Sequence, residues 1–165
     1  MDYSLFIPLR WLHAACGAAW FGEVVVINFV LIPVLGRLDL ETRRKFIGNV
    51  FPRIFKLASI LSATAVTLGA ITVWNLTGGD LSRITASRWG YGILLGGTLG
   101  TVLTLFHFFL ERRLARKIGI GCDGSSEQAD EALMDVHAKL KVVPRLGLVV
   151  ITTIVLSMMF AVRSL

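Results

Sequence analysis

Four side chains that could do chemistry follow one another at helical spacing in the first apolar stretch of the sequence. They are His13, Cys16, Trp20 and Glu23. Residues three or four positions apart lie on one face of an α-helix, so this spacing predicts a single polar stripe. Ionisable groups at membrane depth are costly, and they usually face the interior of a helical bundle and mark a function. The stripe therefore predicts an interior site, with hydrogen bonds for packing alone as the structural alternative.

Three histidines are candidates to hold a haem iron. His13 is predicted about 10 Å below one membrane surface, at the rise per residue of a helix. His107 and His137 are predicted near the other surface. Two histidines share one iron only where they lie at similar depth on facing helices, which makes His107 with His137 one axial pair. His13 with Met158 or Met159, which reach a similar depth, is another combination that haem proteins use.

Copper is the alternative metal at the outer end of the same bundle. Thiolate and thioether ligands are soft and suit copper(I). The outer residues that supply them, together with an imidazole, are His13, Cys16, Met158 and Met159. Spacing along the sequence does not separate haem from copper, so both cofactors stay open. Packing or lipid contact is the alternative role of the two methionines.

Glycines in the third apolar stretch have two interpretations. Gly92, Gly96 and Gly100 recur every four residues, and such a face lets a second helix approach closely. The same face could leave room for a flat macrocycle. At about 100° per residue, His107 falls close to the direction of Gly96 and Gly100, which keeps this second interpretation open.

Glu23 is predicted near the middle of the membrane, where desolvation disfavours a charged carboxylate. A neutral carboxyl group at that depth could relay protons between the outer and inner sites, or accept them from a quinol. The alternative is a hydrogen bond to the threonine-rich helices that surround it. These threonines are Thr64, Thr67, Thr98, Thr101 and Thr104.

The elements that position these residues follow from composition. The chain has 165 residues, of which 55% are hydrophobic and 17% charged, and a mean hydropathy of +0.71. These values favour a lipid bilayer as the solvent. Stretches long enough to cross about 30 Å of hydrocarbon cover residues 6–35, 57–76, 89–110 and 146–162. The sequence predicts an all-α integral membrane protein, a single four-helix transmembrane bundle over residues 1–165, with an amphipathic run at 127–143.

Basic residues are concentrated in two of the three connections between these stretches. Of the 17 Lys and Arg, six lie in the first connection and seven in the third, and the four others lie on the opposite side. The positive-inside rule then predicts that both termini lie outside and that the first and third connections are cytoplasmic. Charges so placed favour anionic lipid headgroups as partners and not nucleic acid. We expect a multi-pass protein of the cell membrane.

Three segments resemble a known family over about the first 110 residues. "LHAACGAAWFGEVV", in which Trp20 follows His13 by seven residues, resembles the first helix of CopD-like membrane proteins. "FPRIFKLASILSATAVTLGAI" and "SRWGYGILLGGTLGTVLTL" are similar to their second and third helices. The distantly similar HemJ-type proteins also begin with a histidine-containing helix followed by tryptophan, and they bind haem b. The resemblance implies copper handling or haem binding, with His13 and Trp20 as the matched residues. The lysine that CopD-like proteins tend to have after "YG-x-L-L" is absent here, where Gly96 and Gly97 stand.

Together these patterns favour a membrane b-type haem protein of electron transfer, with quinol, oxygen species or another electron carrier as its partner. Whether such a protein is an oxidoreductase stays open. The alternatives are a copper transport or resistance protein and a non-catalytic membrane scaffold. An oligomer is compatible with each of the three.

Overall fold

The computed structural model describes the backbone of residues 3–123 and 126–163, and the side chains of residues 6–110, 112–113 and 142–163. Within these ranges the chain forms helices and turns without a strand. Helix α1 continues through a π-helical segment directly into α2, and four further helices follow. Their bounds are Tyr3–Val26 for α1, Ile27–Leu31 for the π-helical segment, Ile32–Leu35 for α2, Leu40–Thr77 for α3, Ser82–Thr85 for α4, Arg88–Asp123 for α5 and Ser126–Arg163 for α6.

Four helical segments are long and apolar enough to cross a membrane, as the sequence predicted. They are Phe6–Leu35, Leu40–Thr77, Arg88–Leu110 and Val142–Arg163. The largest difference is in the second segment, which was expected to begin at residue 57. The helix begins 17 residues earlier, at Leu40. It does so because Asp39 caps the helix there, and because residues of good helix propensity, such as Glu41 and Arg43, follow in its first turn.

The turn before α3 is held by side chains that satisfy helix termini. The backbone N–H of Thr42 donates a hydrogen bond of 3.0 Å to Oδ1 of Asp39, an N-cap arrangement. Hydrogen bonds from Thr42 hold the pKa of the Asp39 carboxyl below its ordinary value. Arg43 donates to the carbonyl oxygens of Leu35 and Leu38 at 2.9 Å and 2.8 Å, so it closes the end of α2.

Buried apolar residues form three clusters along the bundle. One cluster consists of Leu35, Ile47, Phe51 and Phe55. We call its end of the bundle the basic end, because many of the Lys and Arg lie near it. The middle cluster consists of Trp20, Val24, Ala58, Leu103 and Ile151. The cluster at the opposite end consists of Ile84, Trp89 and Ala161. The middle cluster joins all four long segments, which makes it the core that positions the site.

Helices α5 and α6 touch most closely toward the opposite end, at the glycines of α5. A Cβ atom at Gly92 would lie 2.8 Å from the carbonyl oxygen of Ser157 and 2.9 Å from Cβ of Ala161. A Cβ atom at Gly96 would lie 2.7 Å from Cε of Met158. These positions are occupied by the neighbouring helix, as the packing interpretation of the glycines requires.

A matched pair of substitutions tests this contact. Gly92→Ala places a methyl group against the backbone of α6, and we expect it to lower the free energy of unfolding by about 1–3 kcal/mol, as overpacking does. A Cβ atom at Gly97 would have no neighbour within 4 Å, so Gly97→Ala is expected to be neutral, or stabilising by up to about 1 kcal/mol through helix propensity. Thermal unfolding in detergent measures both. Equal midpoints for the two variants would contradict the close α5–α6 contact.

Candidate functional site

A pocket of about 300 Å³ lies between α1, α3, α5 and α6, between the glycine contact and the basic end. Among the described residues that line it, two have ionisable side chains, Glu23 on α1 and His107 on α5, and the others are apolar residues or glycine. Pockets that bind small molecules combine apolar walls with a few polar groups, and this volume is at the lower end of their range. The pocket therefore suits a small ligand that is apolar over most of its surface.

Glu23 brings a carboxyl group to this pocket. Both of its oxygens are buried, and neither has a hydrogen bond within the described part of the chain. Two of the five threonines named as possible partners donate hydrogen bonds within their own helix. Thr101 and Thr104 donate to carbonyl oxygens of their own helix, each at 2.8 Å. Because buried polar groups normally have a partner, an unpartnered carboxyl group needs an explanation such as water or a ligand.

His107 lies beside Trp20 in the middle of the bundle. The two rings meet edge to face, with 5.8 Å between their centroids. Trp20 is only 3% exposed, and its Nε1 atom is buried without a hydrogen bond to any described residue. Glu23 is one helical turn from Trp20 on the same helix, so α1 presents both residues to the region around His107.

Asn28 joins the first and last long segments beside the pocket. Its Nδ2 atom donates to the carbonyl oxygen of Val24 at 2.8 Å and to that of Pro144 at 2.9 Å. Its Oδ1 atom is buried and has no partner among the described residues. Asn28 lies in the π-helical segment, a local irregularity that is frequent at functional sites. Sequence reasoning missed this residue, although an amide alone in an apolar run was a usable signal.

His13 lies closer to the N-terminus of α1 than Trp20 and Glu23 do, and its described neighbours are residues of α3. Its Nδ1 atom is 2.8 Å from the carbonyl oxygen of Ala65. Because a carbonyl oxygen only accepts, Nδ1 carries the hydrogen of this bond. The ring lies against Gly69, whose Cβ, if present, would be 2.9 Å from Cε1 of His13. The two small residues of α3 were not predicted as partners, though the sequence there is rich in small residues.

The residues predicted to bind a cofactor are only partly brought together. Trp20 is seven positions after His13 along α1, which is about 10 Å at the helical rise, and Trp20 is the residue beside His107. His137 lies in the part of α6 whose side chains are outside the described residues. Gly96 faces Met158, and Gly100 faces Val66 at 3.6 Å.

The remaining predicted ligands do not form a cluster in the part of the chain that can be described. Cys16 is half-buried and has a free thiol, while Met159 is 58% exposed. Within the same residues, no group of three His, Cys, Asp or Glu could hold a metal ion. The structure therefore brings together Trp20, Glu23 and His107, and it leaves His13 at a separate level.

The fold and the pocket define the chain as a bundle of four apolar helices of membrane-spanning length with an interior polar site. No family model, curated protein or solved structure matches the chain.

The bond between Asn28 and Pro144 can be tested with a matched asparagine. Asn28→Ala removes a bond between two helices, and we expect it to lower the free energy of unfolding by about 1 kcal/mol, the range measured for interhelical bonds in membranes. Among the described residues, Asn75 donates to the carbonyl oxygen of Ile71 on its own helix and to no other helix, so Asn75→Ala is expected to cost less. Chemical denaturation in detergent compares the two. A smaller loss for Asn28→Ala than for Asn75→Ala would contradict the role of Asn28.

Proposed function

We propose that this chain is a multi-pass protein of the cell membrane that binds a small, largely apolar ligand between Glu23 and His107 and exchanges a proton with it, as part of membrane redox chemistry. The observation that carries the proposal is the Glu23 carboxyl group, buried beside an apolar pocket with no partner among the described residues. A carboxylic acid and an imidazole are the side chains that most often give or take protons in proteins. A quinol, whose hydroxyl groups lose protons on oxidation, is the partner that suits them.

The apolar surface of the bundle supports the membrane location. Large apolar side chains are exposed all along the four long segments, including Trp11, Phe29, Leu105 and Val149, and such a surface is stable only in lipid or in an interface. The charge distribution favours both termini outside. Labelling of cysteine variants in intact cells, after Cys16 and Cys122 are replaced by serine, tests the orientation. Asp80→Cys is expected to react with an impermeant reagent and Glu41→Cys to be protected, and the reverse pattern would contradict it.

The scaffold alternative agrees less well with the state of Glu23. A residue kept only for packing gains from a hydrogen-bonded partner, because a buried polar group left unpaired costs about 1–3 kcal/mol. Asn28 meets that requirement with its two donated bonds, whereas Glu23 does not. A destabilising residue in the interior is typical of a functional site, where activity and stability are in conflict.

Ligation of a b-type haem by His13 is a second candidate function, favoured by one specific observation. Histidines that bind metals usually donate their other ring N–H to a carbonyl or carboxylate oxygen. His13 has this arrangement with Ala65, which leaves Nε2 as the atom for a metal. The fit is limited to this single ligand, because Met158 and Val66 lie against the glycine face expected to cradle the macrocycle. We therefore assign no proton step to a haem.

The copper set receives no comparable support. Met158 contacts Gly96 on α5, His13 is bonded to α3, and Met159 is largely exposed. These contacts direct the three residues to different neighbours.

Replacement of Glu23 separates a functional role from a structural one. Glu23→Leu removes the unpartnered carboxyl group, so we expect the free energy of unfolding to stay unchanged or to rise by about 1 kcal/mol. Binding of duroquinol, a quinol ring without a long tail, should weaken about tenfold, which corresponds to about 1.4 kcal/mol. Thermal unfolding and titration calorimetry in detergent measure the two effects.

The control for this variant is Glu41→Leu, at an exposed carboxylate that pairs with Lys45 on the surface of α3. Duroquinol binding is expected to be the same as in the unmodified protein. A large loss of stability in Glu23→Leu with unchanged duroquinol binding would overturn the proposed function and favour a packing role.

The haem candidate has its own spectroscopic test. If His13 holds iron, the purified protein shows the absorption bands of a b-type haem, and His13→Ala loses them while His107→Ala keeps them. A protein that stays colourless after incubation with haem would end this candidate. It would leave the proton-exchange proposal standing.

A further inference from the structure

We propose that the pocket opens sideways into the hydrocarbon of the membrane, between α5 and α6, and that its occupant is a lipid-soluble quinone or quinol with a long apolar tail. The ring would lie at Glu23 and His107, and the tail would leave between the two helices. This inference rests on the proposed function and specifies the ligand and its route.

Helices α5 and α6 approach closely at Gly92, on one side of the pocket, and both helices line the pocket farther along. At Gly92 the carbonyl oxygen of Ser157 is close enough to exclude a Cβ atom. Farther along the same two helices, the pocket is lined by residues from Leu99 to Leu110 on α5 and from Val143 to Val150 on α6. At the helical rise, Leu99 and Leu110 are about 16 Å apart. The space is therefore elongated along the helices and closed at the glycine contact.

Several residues of α5 and α6 that line the pocket are also exposed on the outer surface of the bundle. Val102 on α5 and Leu146 on α6 both line the pocket, and they are 58% and 62% exposed. Phe106 lines it too and is also exposed. A Cβ atom at Gly147, another lining residue, would have no neighbour within 4 Å. Residues that line a pocket and also face outward mark its opening, and here the opening faces the side of the bundle.

The residues that line the pocket indicate the class of ligand that it binds. The carboxyl oxygens of Glu23 are fully buried, so they lie at the inner part of the pocket, away from the exposed rim. The rim consists of aliphatic and aromatic side chains, which suit an alkyl or isoprenoid tail. A quinone ring offers two oxygen atoms as acceptors, and a quinol offers two hydroxyl groups. Glu23 and His107 can hydrogen-bond to either form.

A phospholipid fits this lining less well. Its phosphate group needs a cationic or multiply hydrogen-bonding partner, and no Lys or Arg is among the described residues that line the pocket. Its headgroup would also have to remain at the membrane surface, whereas the polar groups here lie in the middle of the bundle. The geometry therefore favours an uncharged, ring-headed lipid.

The experiment blocks the opening without touching Glu23 or His107. Val102→Trp places a large side chain at the rim, and Leu105→Trp places the same side chain on an exposed position outside the pocket lining. The probe is decylubiquinone, which has a ten-carbon tail, and duroquinone is the tail-less comparison. Binding is measured by titration calorimetry on the full chain in nanodiscs. We expect Val102→Trp to bind decylubiquinone about tenfold more weakly than the unmodified protein does. Leu105→Trp is expected to bind it with unchanged affinity.

Leu146→Trp, with Val149→Trp as its control, repeats the test from α6 if Val102→Trp does not fold. Equal decylubiquinone binding in rim and control variants would overturn the lateral opening, as would tighter binding of duroquinone than of decylubiquinone. A copurified phospholipid that decylubiquinone does not displace would overturn the assigned occupant. In each case the proposed function survives if duroquinol binding still depends on Glu23, so the two failures are distinguishable.

Discussion

The close approach of α5 to α6 at Gly92 sets the geometry on which the rest of the bundle depends. A glycine at this position lets the carbonyl oxygen of Ser157 come nearer than any side chain would allow. Helices that touch at a glycine are held farther apart where they carry larger side chains, so a gap can open between them away from the contact. Residues of both helices on this side of the contact line the pocket, together with residues of α1 and α3. The contact also gives Met158 and Val66 the space beside Gly96 and Gly100 that a macrocycle would have required.

The polar groups of α1 divide into satisfied and unsatisfied ones, and the division has a physical meaning. His13 and Asn28 are bonded to backbone carbonyl oxygens of α3 and α6, so each links the first long segment to a neighbour. Glu23, between them in sequence, has no such bond among the described residues. In a low-dielectric interior, hydrogen bonds are strong and missing ones are costly. A bound ligand that hydrogen-bonds to Glu23 would remove the free-energy cost of its missing partner. For this reason the proposed site is built on Glu23 and not on the histidines alone.

Sequence reasoning predicted the parts of the structure that depend on one helix at a time. The apolar length of the segments predicted four helices, and two of the four begin and end within one residue of the expected bounds, as Arg88–Leu110 does. The four-residue spacing of glycines predicted a close helix contact.

Features that depend on how the helices are rotated against one another were not predictable from the sequence. The spacing of α1 placed His13 and Glu23 on one face, but it did not show that Ala65 would bind the first and that only the second would line a pocket with His107. The Asn28–Pro144 bond joins residues 116 positions apart, and no local pattern encodes it.

The Glu23 carboxyl group has no hydrogen-bond partner among the described residues, and we propose that it gains one from a quinone. Infrared difference spectroscopy observes this group directly, because the C=O stretch of a carboxylic acid falls at lower frequency when it is hydrogen-bonded. We expect a carboxylic acid band that is absent in Glu23→Gln and that moves to lower frequency when decylubiquinone is added. A Glu23 band that is unchanged by decylubiquinone, or that already has the frequency of a hydrogen-bonded acid before the addition, would contradict it.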